Sequence, residues 1–237
     1  MQIVVSDMHI GDSAVNYLAL DHFIEKTLPK AEKIIFAGDI LDLWKSKWDE
    51  IHNHPTYRLL RQTIVEHDID CTYLIGNHDY MINQHVNGLT TDRDLVIPCD
   101  SEPDIYITHG WEFDICHRYN GSWWVSRQVC KYLPNTCQRF VRSPSGMVNL
   151  NGVYRRAVQR IHREACKYGA EYNCRIIIGH THTPRAIDGR VYDCGDWVDS
   201  YTWVEIRDEQ IELRRSNGYN PTQTWLSNIP ENSGSIL

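Results

Sequence analysis

Apolar residues along the chain come in short bursts, each cut off by a glycine or a polar pair. QIVVS (2–6), KIIFAG (33–38), CTYLIG (71–76), DIYIT (104–108) and CRIIIG (174–179) read as buried strands, with a weaker one at DLVIP (94–98). The isoleucine run of the last major burst predicts a strand covered on both faces. Between the early bursts the spacing turns helical. Residues 12–28 present Tyr17, Leu20, Phe23, Ile24 and Leu28 on one face behind Asp12 or Ser13 as cap, and residues 49–67 repeat the pattern with Tyr57, Leu60 and Ile64. This alternation predicts an α/β sheet of largely parallel strands. After Thr183, RVYDCGDW, YTWVEIR and QIELRRS predict short antiparallel strands in a second, mixed sheet.

The sheet rhythm fails between 116 and 151, where the chain is aromatic, basic and broken by Pro134, Pro144 and Gly146. A structureless loop of that length is uncommon in a compact domain, so the segment reads as a helical lid inserted into it. A regular helix follows over 152–168, apolar at Tyr154, Ala157, Val158, Ile161 and Ala165, with Gly169 as its stop. The Asn-, Ser- and Pro-rich stretch 217–237 reads as a loosely held tail. At 237 residues, the whole is expected to be one domain.

Composition changes this picture in two places. The net charge of −7 is unevenly spread: residues 115–175 carry eleven basic and two acidic residues, the remainder 13 basic and 29 acidic. An acidic body with a basic insert predicts an anionic ligand approached from one side. The eight cysteines form no CxxC pair and read as small hydrophobes in a reducing compartment. No run of about 18 apolar residues predicts a membrane span. A strand starting at Gln2 leaves no room for a leader, so the expected location is cytoplasmic.

The chemistry is concentrated where the strands stop. The first burst ends in Asp7-Met8-His9, the second in Gly38-Asp39 with Asp42 three residues on, the third in Gly76-Asn77-His78-Asp79. The fourth ends in His109-Gly110 and the last in Gly179-His180-Thr181-His182. Ligands of open α/β sheets bind beyond the carboxyl ends of their strands, so these clusters are expected to share one rim. Each alone is a common turn or cap; their repetition at five exits predicts a metal site.

In this order the blocks resemble those of the calcineurin-like metallophosphoesterase family, from Ser6 to about Trp197. HGWEFD (109–114), the basic lid and CGDWVDS (194–200) are similar to the branch containing UDP-2,3-diacylglucosamine hydrolases. The lipid A enzymes of that branch carry Arg where this chain has His78. The resemblance implies a central two-sheet α/β/β/α sandwich with a helical lid insertion. It further implies two ions, one held by Asp7, His9 and His182, the other by Asn77, His109 and His180, with Asp39 bridging. Such N/O ligand sets suit Mn²⁺ first, with Fe²⁺, Co²⁺ or Zn²⁺ as alternatives. Hydroxide bridging the ions would attack phosphorus. His78, oriented by Asp42, would assist the leaving group. Asp79 reads as a turn residue.

Arg118, Trp123 and Arg127 of the lid are the substrate-contact candidates, joined by Tyr119, Trp124, Phe140 and Val141 as an apolar lining or an anchor to the body. The expected substrate is a small anionic phosphoester or a lipid-linked pyrophosphate, with peripheral membrane contact through the lid. A nuclease or cyclic-nucleotide phosphodiesterase would use the same metals and keeps nucleic acid open as a partner, although the acidic body disfavours it. A non-catalytic scaffold is disfavoured because His78 and every proposed ligand are present.

Overall fold

The computed structural model describes residues 1–86, 91–114 and 148–216. The tail 217–237 and the lid up to residue 147 lie outside the described residues, and with them Arg118, Trp123, Arg127, Tyr119, Trp124, Phe140 and Val141. The strands are β1 (Gln2–Val5), β2 (Lys33–Ala37), β3 (Asp70–Leu74), β4 (Thr91–Asp92), β5 (Asp94–Ile97), β6 (Ile105–Thr108), β7 (Arg175–Ile178), β8 (Arg185–Ile187), β9 (Val191–Asp193), β10 (Thr202–Arg207) and β11 (Gln210–Arg215). Helices are α1 (Tyr17–Lys26), α2 (Trp48–His52), α3 (Pro55–Glu66) and α4 (Val148–Glu171). Among the described residues the strands form two sheets, in the orders β11-β10-β1-β2-β3-β4 and β5-β6-β7-β9-β8.

The two-residue period of each strand builds the layers. Ile3 and Val5 pack on one side of the first sheet with Ile34 and Phe36, against Leu20, Phe23 and Ile24 of α1 and Leu60 of α3. Val4, Ile35 and Ala37 point the other way and meet Ile105, Ile107 and Ile177 of the second sheet. Ile176 and Ile178 turn outward onto Ile161 and Ala165 of α4. The result is helix, sheet, sheet, helix, the architecture expected for the metallophosphoesterase fold. Ile176, Ile177 and Ile178 are all fully buried, as the isoleucine run predicts.

Direction matters more than layering for the site. β1, β2 and β3 run parallel, as do β6, β7 and β9, so their carboxyl ends leave each sheet at one edge. The exits are laced within a sheet by Asp7 N donating to Gly38 O (3.1 Å) and Gly179 N to His109 O (2.9 Å). Across the two sheets, Trp197 N donates to Asp7 O (3.2 Å) and His180 N to Asp7 Oδ2 (2.9 Å).

Several local expectations are corrected. Asn16, not Asp12 or Ser13, caps α1 by accepting from Ala19 N; Asp12 is turned to Ala14 N and Lys45 Nζ instead. The expected 49–67 helix is two helices. Pro55 lacks the N–H that a continuous helix needs and opens α3 at its first turn. Gly169 does not stop α4. The helix continues to Glu171, and Asn173 takes the left-handed turn (φ 48°) that ends it. Glycine at 169 serves close approach, since a Cβ there would lie 2.9 Å from Cys174 O. The strands after Thr183 do not form a sheet of their own. β10 pairs with β1 and carries β11 at its other side in the first sheet, whereas β9 pairs with β7 and carries β8 in the second. Of the described cysteines, Cys174 and Cys194 are buried and Cys71 is exposed; all five are unbridged thiols. Among the described residues no helix is long and apolar enough to cross a membrane.

Candidate active site

The strand exits turn sharply. Asp7 (φ 51°), His9 (46°), Asp39 (55°), His180 (68°) and His182 (54°) all adopt left-handed backbone conformations that cost a non-glycine residue of order 1 kcal/mol or more each. Five such residues from three loops converge on one point. The backbone strain is carried by the residues whose side chains meet there.

Asp7 Oδ1 lies 3.6 Å from His9 Nε2 and 3.2 Å from His182 Nε2. On the other flank, Asn77 Oδ1 lies 3.1 Å from His109 Nε2 and 3.0 Å from His180 Nδ1. Asp39 Oδ2 sits between the groups, 3.4 Å from His109 Nε2 and 3.9 Å from His9 Nε2. All seven residues singled out as metal candidates are therefore brought together. His109 and Asp7 are fully buried; Asp39, His9 and Asn77 are nearly so. Gly76 has no room for a side chain: a Cβ would lie 2.2 Å from Asp39 Oδ1.

The second nitrogen of each imidazole faces outward to an acceptor. His9 Nδ1 is 3.5 Å from Asp42 Oδ2, and His182 Nδ1 is 3.0 Å from Asp196 Oδ2. His109 Nδ1 donates to Ala37 O at 2.9 Å, and His180 Nε2 is 3.2 Å from Asp114 Oδ2. Four rings each aimed inward by an outer carboxylate or carbonyl is the arrangement that fixes tautomer and orientation in metal-binding histidines. Asp196, Asp114 and the Ala37 carbonyl were not singled out in the sequence. Asp196 follows a strand exit at CGDW, and the rule applied to Asp7 and Asp39 would have reached it.

His78 stands beside this centre. Its Nδ1 is 3.0 Å from Asp42 Oδ1, which also accepts from Trp44 N (3.1 Å) and Lys45 N (3.0 Å). The Trp44 ring stacks on the imidazole at 3.9 Å between centroids. Its Nε2 points back to the centre, 4.0 Å from Asp39 Oδ2. Asp79 is a tie between loops: fully buried, it accepts from Gly76 N, Ile40 N and the Tyr73 hydroxyl at 2.7–2.8 Å.

Electrostatically the pocket calls for cations. Burial alone would raise the Asp39 carboxyl, yet His109 and His78 beside it hold it well below the usual carboxylate range. Burial is likewise outweighed at Asp7 by His182 and His9, and at Asp42 by His78. In return two imidazoles are pushed up against their own desolvation. His109 rises to about 10 beside Asp39, and His9 rises beside the Asp42 and Asp7 carboxylates. Three buried carboxylates must be balanced by positive charge, from imidazolium protons or from metal ions that displace them.

The donors fit such ions. Asp7 Oδ1 and both ring nitrogens of His9 are buried without a hydrogen-bond partner. Asp7, His9 and His182 form one group of ligand atoms within 4.8 Å of one another, and Asp7, Asp39 and His109 another. Metal–ligand bonds of about 2.0–2.2 Å require donors spaced in this way. A third group, His9, Asp42 and His78, is explained by Asp42 orienting both rings.

A UDP-2,3-diacylglucosamine hydrolase from Actinobacillus succinogenes is 23% identical over 234 residues, covering 89% of this chain and 97% of that protein. Among solved structures, the phosphoesterase Yfce from E. coli aligns over 91% of this chain and 93% of its own at 15% identity, with a TM-score of 0.45. A dimetal phosphatase from Danio rerio aligns over 90% and 94% at 11% identity, with a TM-score of 0.46. The family model described as calcineurin-like phosphoesterase matches residues 3–200. The chain is a phosphoester-hydrolysing enzyme with candidate sites for divalent metal ions, and it belongs to the calcineurin-like phosphoesterase family.

Proposed function

We propose that the enzyme is a dinuclear-metal-dependent hydrolase of phosphate esters or pyrophosphates. Asp7, His9 and His182 hold one ion, Asn77, His109 and His180 the other, and Asp39 is shared. The observation that carries this reading is the position of Asp39 Oδ2 between His9 Nε2 and His109 Nε2, at 3.9 and 3.4 Å. One carboxylate thus serves two nitrogen groups. Mixed nitrogen and oxygen donors favour Mn²⁺, with Fe²⁺, Co²⁺ or Zn²⁺ as alternatives, over the all-oxygen preference of Ca²⁺ and Mg²⁺. When bound, such a pair supplies an activated water and positive charge for the phosphoryl oxygens.

The chain's own side chains supply the rest. Asp42 and Trp44 lock the His78 ring, leaving Nε2 directed at the centre where a leaving oxygen would depart. A proton held there can be handed to that oxygen as the bond to phosphorus breaks. Asp196, Asp114 and Ala37 O prevent the ligand imidazoles from rotating as substrate binds. The natural substrate we favour is a small anionic phosphoester or a lipid-linked pyrophosphate. UDP-2,3-diacylglucosamine, from the name of the relative, is the first compound to try.

Stripping the protein with chelator is expected to abolish hydrolysis of bis- and mono-p-nitrophenyl phosphate, and Mn²⁺ to restore it. Mn²⁺ at a hundred times its dissociation constant should also stabilise the fold by about 2.7 kcal/mol per site, visible as a higher Tm. Hydrolysis indifferent to chelator would refute the reading. The ratio of the two rates separates diesterase from monoesterase preference.

A further inference from the structure

The helix α4 carries a buried histidine for which the proposed mechanism has no use. His162 is only 4% exposed, and its Nε2 lies 2.9 Å from Asp193 Oδ2. Asp193, fully buried at the end of β9, is a junction. Its Oδ2 also accepts from the Thr181 hydroxyl (2.5 Å), and its Oδ1 accepts from Gly195 N (3.0 Å). Thr181 is the residue between His180 and His182, and Gly195 immediately precedes Asp196, the carboxylate on His182 Nδ1. A second contact from the same helix reaches the same loop, where the Tyr154 hydroxyl donates to Thr181 O at 2.5 Å. Within the loop, Thr181 N donates to Gly179 O (2.8 Å) and Thr183 N to Thr181 Oγ1 (3.1 Å). Thr181 thus has its N–H, hydroxyl and carbonyl all engaged, and two of those engagements lead to α4.

A structural helix needs no such arrangement. Ile161 and Ala165 already bury an apolar face against the second sheet, and Val158 of the same helix is buried too. Placing an imidazole and a carboxylate beneath that face costs desolvation that apolar side chains would avoid. The polar chain ends at the two histidines that belong to different metal positions, both in left-handed backbone conformations. We propose that His162 is a positioning residue of the metal centre. Through Asp193 and Thr181 it fixes the spacing between His180 and His182, so the docking of α4 sets how well both ions are held. The inference rests on the dinuclear reading above.

The test compares four chains: wild type, His162→Leu, His162→Gln and Val158→Ala. For each, Mn²⁺ affinity is measured by competition with a chelator, and Tm is measured on the metal-free protein. His162→Leu is expected to weaken Mn²⁺ binding about tenfold, the lower end of what outer partners of metal ligands contribute. His162→Gln, whose amide nitrogen can take the place of Nε2, should stay within about threefold of wild type on the same scale. Val158→Ala removes packing from the same helix, so it should lower Tm and leave affinity unchanged. Wild-type affinity in His162→Leu overturns the inference, as does equal loss in Val158→Ala at matched Tm. Should His162→Leu fail to fold, Thr181→Val cuts the same link without touching α4; the same loss is expected, and wild-type affinity overturns the proposal. A wild-type chain that takes up no Mn²⁺ sinks the dinuclear reading itself, which is a different result from either of these.

Discussion

An Asp39→Asn enzyme is expected to retain at most one of two Mn²⁺ ions and to lose hydrolysis by at least ~10³-fold, the scale seen when groups that act as a unit lose a member. The substitution preserves shape and an oxygen for His78 N, which Asp39 Oδ1 accepts at 2.7 Å. What it removes is the charge shared by the His9 and His109 groups. Burial makes that charge expensive, and neighbouring imidazoles keep it ionised. An amide can still coordinate one ion weakly, but it cannot offset the repulsion of two cations. Metal content by elemental analysis, read with kcat on bis-p-nitrophenyl phosphate, checks the expectation. Two ions per chain with unchanged turnover would remove Asp39 from the shared position.

His78→Ala should behave in the opposite way toward metal. Its ring is held from outside by Asp42 and Trp44, and neither of the two proposed ion positions includes it. Metal content should therefore stay at the wild-type level while kcat falls about 10²–10⁴-fold, the usual contribution of a positioned general acid. The loss should shrink with p-nitrophenyl esters relative to alkyl phosphates, because a good leaving group needs no proton. An equal loss on both esters would reassign His78 to orienting the phosphoryl group, and unchanged turnover would exclude it from the chemistry.

Much of this centre is legible in the sequence because strand exits break the hydrophobic rhythm so sharply. An apolar burst such as RIII followed by GHTH states both where the strand ends and what it delivers. The α/β/β/α layering follows from the family resemblance and from period-two burial, visible at Ile3, Val4 and Val5. Sheet membership is harder to read. YTWVEIR alternates equally well in either sheet, and only long-range pairing of Val204 with Val4 settles it. The cap of α1 is hidden for a related reason. Asp12 is the better capping residue by type, but it is drawn off to Lys45, thirty-three residues away. The outer carboxylates illustrate a deeper limit. Asp114, Asp193 and Asp196 look like ordinary turn residues, and their pairing with His180, His162 and His182 depends on three dimensions.

The central claim is that residues from five strand exits form one pocket for two ions. The most direct measurement is anomalous diffraction at the manganese edge from crystals grown with Mn²⁺. Two peaks are predicted, about 3.5–4 Å apart, one beside Asp7, His9 and His182 and one beside Asn77, His109 and His180, with Asp39 touching both. A single peak, or two peaks away from Asp39, would contradict the account.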